Sequence, residues 1–294
     1  MKKKIQGIGS LLLATVIWGG AFVAQSTGMD LIGPFTFQTI RCTLAVLALI
    51  LFIALMEAKN PGSYFRKWAD PKLWKVGIIC GLALFVASGL QQIGLVYTDA
   101  GKAGFLTAMY IVIVPLFGLI FRQKPTLLTW ISILVAVAGM YLLCCAGVAQ
   151  VNIGDILLCG CAVAFAVQIT LVDRFAADID SLRLNTVQAL VVAVLSGIFM
   201  LFTEQLEANL ILSCWLPLSY AGVLSMGAGY SLQIIGQKHV ESTTASLLMS
   251  LESVFAVIFG TLLLHETMSG AEIAGCCLVF LAVILSQIPT PTKK

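Results

Sequence analysis

Charge is scarce in this chain. Only 11% of its 294 residues are Asp, Glu, Lys or Arg, and two are His, against roughly a quarter charged in a soluble domain. So little charge excludes a water-facing surface of ordinary extent and leaves no soluble domain of useful size. Catalytic signatures are missing too. No H-E-x-x-H, G-x-S-x-G or G-x-x-x-x-G-K-[ST] occurs, and His239 and His265 both fall at expected helix ends. An intramembrane enzyme would lack a catalytic set, and an ATP-driven pump would lack its phosphate loop, so the chain is expected not to be an enzyme and to need no cofactor or metal. Nine cysteines (Cys42, Cys80, Cys144, Cys145, Cys159, Cys161, Cys214, Cys276, Cys277) show no C-x-x-C spacing. They read as small apolar packing residues in preference to metal or redox groups.

Apolar residues are abundant, at 60% of the chain with mean hydropathy +1.01. Ten apolar stretches run near residues 7–27, 33–56, 73–96, 100–121, 125–145, 154–176, 184–203, 213–236, 241–263 and 270–287. Each approaches the ~20 residues that carry a helix across ~30 Å of hydrocarbon. Membrane strands would be shorter and would alternate apolar with polar residues, so a helical bundle is the form that satisfies the backbone in lipid. The opening Met1-Lys2-Lys3-Lys4 and its apolar run are expected to be a retained first helix, because Trp18 and Phe22 spoil a signal-peptide cleavage site. The loop from Glu57 to Lys72 reads as an ordinary connection. With the amino terminus in the cytoplasm, the inside regions, with Lys75, hold 15 of the 17 Lys and Arg; Lys102 and Arg41 are the remainder. That bias places both termini in the cytoplasm and the protein in the cytoplasmic membrane. Without a basic face outside the loops, no nucleic-acid partner is expected. The expected partners are a small-molecule substrate and the bilayer, with a homo-oligomer left open.

The chain repeats itself. Sliding it by 142 residues aligns Leu90-Gln91-Gln92-Ile93-Gly94 with Leu232-Gln233-Ile234-Ile235-Gly236, and 143 aligns Ala21-Phe22-Val23-Ala24-Gln25 with Ala164-Phe165-Ala166-Val167-Gln168. The repeat is broken near loop 146–153, so the expected units are 1–147 and 152–288. Five is odd, so a unit that starts inside ends outside and its copy starts there. The fold class is therefore all-α integral membrane, ten transmembrane helices as two inverted five-helix repeats, a plan common among secondary transporters.

These features resemble the drug/metabolite transporter superfamily, specifically ten-helix permeases with two EamA-type repeats. The resemblance is carried by Ile17-Trp18-Gly19-Gly20-Ala21-Phe22, by Gly33-Pro34-Phe35 running into Arg41, by Leu251-Glu252-Ser253-Val254-Phe255-Ala256, and by Leu262-Leu263-Leu264-His265-Glu266. Two positions depart from the family pattern: Ser253 stands where Pro is frequent, and Arg122-Gln123-Lys124 stands where the first repeat often has a glutamate.

Depth turns the repeat into a map. Gln25 and Gln91 lie late in helices that run outward, whereas Gln168 and Gln233 lie late in helices that run inward. Gln38 and Arg41 occupy the outer third of the second helix; Asn185 and Gln188, 147 residues on, occupy the inner third of the seventh. Glu252 should lie ~16 Å into its helix at 1.5 Å per residue, near the midplane, and its repeat mate is Tyr110. A carboxylate there costs at least ~2.5 kcal/mol, so it must face a partner or an aqueous cavity. It either binds substrate or a proton, or holds the ninth helix to its neighbours. Arg41, about 12 Å from the outer end, either pairs or snorkels outward, or binds an anionic group. Trp18, Phe22 and Gln25 form one helical stripe, Met226, Tyr230 and Gln233 a second, and Phe85, Ser88 and Gln92 a third. Three stripes of aromatic and amide groups suit a cavity for an amphipathic organic solute, although helix packing through residues such as Gly77 and Gly81 would use similar side chains. Asp99, Glu241 and Asp155 read as helix-start groups, and His265-Glu266 as the outer end of the ninth helix.

The expected function is secondary transport of a small organic metabolite by alternating access. The family includes characterised amino-acid exporters, and the resemblance alone implies an outward direction. The alternatives are a polyspecific drug exporter and a scaffold without flux. Small four-helix relatives that export drugs carry a membrane-embedded glutamate in the first helix, and neither the first nor the sixth helix here has one.

Overall fold

The computed structural model describes residues 2–59, 61–98, 100–120, 125–144, 151–264 and 268–288. Asp99, Arg122, Gln123, Lys124, Cys145, His265, Glu266 and the loop residues 146–150 lie outside the described residues. Every regular element among those described is helical. The helices are α1 (Lys2–Met29), α2 (Pro34–Met56), α3 (Pro61–Trp68), α4 (Pro71–Gly94), α5 (Ala100–Ala108), α6 (Tyr110–Ile120), α7 (Leu127–Cys144), α8 (Ile153–Phe175), α9 (Ser181–Thr203), α10 (Ala208–Ser213), α11 (Trp215–Ser219), α12 (Tyr230–Gln237), α13 (Ser242–Met249), α14 (Leu251–Leu264) and α15 (Gly270–Ser286), with a π-helical segment, Tyr220–Gly229, between α11 and α12.

Among the described residues, α1, α2, α4, α5–α6, α8, α9 and α13–α14 give seven spans long and apolar enough to cross a membrane, and α7 and α15 are shorter apolar helices. The run from α11 through the π segment to α12 completes the ten. Local chemistry sets the starts. Pro71 follows an Asp70 side chain that accepts the Lys72 N–H at 2.9 Å, and α8 and α15 open on reciprocal capping boxes, Asn152 with Asp155 and Ser269 with Glu272.

The structure adds four local features to the expected spans, connection and helix starts. The fourth and ninth spans are not continuous: α5 ends before Met109 and α13 before Ser250. The eighth span contains a π-helical stretch. The connection from Glu57 to Lys72 carries the short helix α3. Glu241 precedes α13 but makes no side-chain cap bond, whereas Asp155 does cap α8 and also pairs with Lys102 at 2.6 Å, tying α5 to α8.

Helix packing follows the repeat. α7 packs on α15, α2 on α9, α4 on α8, and α1 on α12. Each pairing is either its own counterpart or has its counterpart under exchange of the halves, the rule for contacts about a two-fold axis. Close crossings need glycine. A Cβ on Gly236 of α12 would meet the Gly7 carbonyl oxygen of α1 at 2.9 Å, and a Cβ on Gly154 of α8 would meet the Gly94 carbonyl oxygen of α4 at 2.8 Å.

Candidate functional site

The two interrupted spans cross at the middle of the bundle. Tyr110 opens α6 and Glu252 lies in the first turn of α14. The Tyr110 hydroxyl donates to Glu252 Oε1 at 3.0 Å across 142 residues of sequence, so the repeat mates meet. An unpaired α-helical N-terminus presents free N–H groups and a partial positive charge, which favours a carboxylate in that turn. Beside the break, Ser246 donates to Thr243 O, Ser250 to Leu247 O and Ser253 to Ser250 O, each at 2.8 Å.

Around this pair lies a partly open cavity. Phe22 and Phe165, Gln91 and Gln233, Thr107 and Met249, and Tyr110 and Glu252 all line it, and each is a pair of repeat mates. The cavity therefore straddles the pseudo-two-fold axis. Its wall is completed by groups whose mates lie elsewhere, among them Trp18, Gln25, Arg41 and Tyr230. The Trp18 and Tyr230 rings meet at 5.0 Å, tilted by 57°.

Two amide networks flank the cavity. In the first, Arg41 donates through Nη1 to Gln25 and through Nη2 to Gln38, and the Gln38 amide donates to Ser88. In the second, Gln168 donates to Gln188 at 3.1 Å, and Gln233 donates to Gln168 at 3.1 Å and to Gln237 at 3.0 Å. The Gln25–Arg41 and Gln168–Gln188 contacts are the same contact in the two halves, with a guanidinium replaced by an amide in the second. The positive charge therefore sits on one side of the axis alone. Arg41 is 4% exposed, forms no ion pair among the described residues, and leaves its buried Nε without a hydrogen-bond partner among them.

Of the residues singled out from sequence, Trp18, Phe22, Gln25, Arg41, Gln91, Tyr110, Tyr230, Gln233 and Glu252 line this one cavity. Gln168 and Gln188 stand behind the wall and hold Gln233 in place. Gln92 lies ~100° around α4 from Gln91, is 1% exposed, and has no partner for either amide atom among the described residues. Thr107, Phe165, Ile169, Ser225 and Met249 were missed. Phe165 could have been found as the repeat mate of Phe22, whereas Thr107, whose hydroxyl accepts from Gln91 at 3.4 Å, and its mate Met249 carried no such signal.

The EamA-like transporter family matches residues 5–145 and again 152–287. An uncharacterized transporter of Archaeoglobus fulgidus is 29% identical over 290 residues, covering 97% of this chain and 87% of the relative. The uncharacterized transporter YoaV of Bacillus subtilis is 24% identical over the full length of both chains, 306 aligned residues. The uncharacterized inner membrane transporter YedA of Escherichia coli is 25% identical over 289 residues, 94% of this chain and 89% of the relative. A solved crystal structure superimposes with a TM-score of 0.78 at 18% identity, over 98% of each chain, which speaks to the fold alone.

Proposed function

Because the chain belongs to the EamA-like transporter family, we propose that it moves a small zwitterionic metabolite of the amino-acid class across the cytoplasmic membrane by alternating access, with both termini in the cytoplasm and units 1–147 and 152–288 as its moving halves. One observation carries this reading. A single cavity on the repeat axis is lined by one guanidinium, Arg41, and one carboxylate, Glu252, neither in an ion pair among the described residues. Opposite charges in one apolar, aromatic-walled cavity match the carboxylate and ammonium of an amino acid, while Trp18, Phe22, Phe165 and Tyr230 suit an apolar side chain. A cationic drug would meet the Arg41 charge, which counts against polyspecific drug export. Export is the direction supported by the resemblance to amino-acid exporters.

Glu252 is also positioned to carry a proton in exchange for substrate. Thermal-shift screening of the purified protein against amino acids, sugars, nucleosides and cationic dyes tests the substrate class. Stabilisation by apolar amino acids that disappears in Arg41→Gln is expected, and stabilisation by dyes alone would refute the reading. In proteoliposomes, Glu252→Gln should flatten the pH dependence of flux; an unchanged profile would remove the proton from the mechanism.

A further inference from the structure

Helices α2 and α9 are repeat mates of 23 residues each, 147 residues apart position by position. They run antiparallel against each other across the whole bundle, and a glutamate closes each end. At the end of α9, Glu204 reaches the start of α2. Its Oε1 accepts the Phe35 N–H at 2.8 Å, and its Oε2 accepts the Thr36 N–H and the Thr36 hydroxyl, each at 2.7 Å. At the end of α2, Glu57 reaches the start of α9. Its Oε2 accepts from Arg183 Nη2 at 2.7 Å and its Oε1 from Lys67 at 2.6 Å, while the Arg183 guanidinium stacks over Tyr64 and Trp68 of α3 at 5.6 and 5.4 Å. Glu57 and Glu204 are mates at the same offset, and so are Thr36 and Arg183.

The contact is thus made twice with different chemistry. One carboxylate binds a helix N-terminus, and the other binds a buried cation. A helix is ordinarily capped by a side chain within three residues of its start, but the residue at the N-cap of α2 is Gly33, which has none. The cap comes instead from 169 and 168 residues away, so the N-terminus of α2 is satisfied only while the end of α9 lies against it. Gly33 makes room for it: a Cβ there would sit 2.3 Å from Glu204 Cδ.

We propose that Glu204 and Glu57 are the paired gate-closing residues of this protein, positioning residues that hold α2 to α9 at opposite ends of the central cavity, each to be released in turn. The assignment rests on the alternating-access reading above. Both contacts are made together here, so both ends of the α2–α9 seam are closed, and opening either end requires breaking one carboxylate's bonds while the other stays made.

Hydrogen–deuterium exchange of the full chain in lipid nanodiscs tests this without a substrate. Glu204→Gln, and independently Gly33→Ala, which evicts the carboxylate without altering it, should speed exchange about tenfold at the start of α2, equivalent to losing one charge-assisted contact, and leave the start of α9 at the wild-type rate. Glu57→Gln should do the reverse. Equal acceleration at both ends, acceleration at neither, or failure of all three variants to fold would overturn the proposal, because the contacts would then be general structural supports or idle. A silent flux screen with sided exchange intact would count against the transport reading alone, and flux with unsided exchange against the gates alone.

Discussion

Arg41 is held by two glutamines, and its counterpart in the other half is a glutamine held by a glutamine. That comparison makes Arg41→Gln an informative change, because Gln188 already makes the same contact with Gln168 at 3.1 Å. The variant should fold and keep its melting temperature. Loss of a charge-assisted contact to a substrate carboxylate is expected to raise KM by about tenfold with little change in kcat, measured as concentration-dependent flux in proteoliposomes. Residue types and repeat offsets were enough to single out Arg41, Tyr110 and Glu252. They did not place Gln92, since adjacent helical positions differ by ~100° and the neighbour that receives each face is set by packing.

At the scale of elements, the irregular spans are where local pattern failed. The π-helical segment Tyr220–Gly229 is anchored from outside: Asn185 Nδ2 donates to Met226 O at 2.8 Å, to Gly227 O at 2.9 Å and to Ser231 Oγ at 3.0 Å. Apolar periodicity carries no signal for such a bond. Asn185→Leu removes these bonds from a fully buried site, and should cost about 1–2 kcal/mol, read as a lower melting temperature with faster exchange confined to residues 220–231. Close crossings are a second case. In Gly236→Val the new Cβ would lie 2.5 Å from Leu11 Cγ and 2.9 Å from the Gly7 carbonyl oxygen; the leucine can shift, but the backbone cannot. A loss of about 1–3 kcal/mol is expected in thermal unfolding, whereas Gly9→Val, with nothing within 4 Å of its Cβ, should melt like the parent.

For the whole molecule, the Glu57 end of the α2–α9 seam responds to acid. Hydrogen bonds from Arg183 and then Lys67 hold the Glu57 carboxyl down at about 2, against an ordinary value of 4.5. A depressed carboxyl contributes stability that is complete above its unfolded value and is lost as pH falls through its folded one. The stability gap between parent and Glu57→Gln should therefore be constant above about 4.5 and close progressively toward about 2. Melting curves across that window check it; a gap that widened on acidification would contradict the pairing.

The sequence alone determined the membrane class, the ten spans and the doubling, because hydrocarbon thickness and backbone satisfaction leave helical proteins few options. It also brought Tyr110 and Glu252 together as mates, since an internal repeat carries its own symmetry. Only the tertiary structure decided that the mates touch, that the fourth and ninth spans break beside them, and that Glu57 and Glu204 close the two ends of one seam. Those facts depend on how helices cross, and contacts between residues more than a hundred positions apart are settled by the packing of the bundle as a whole.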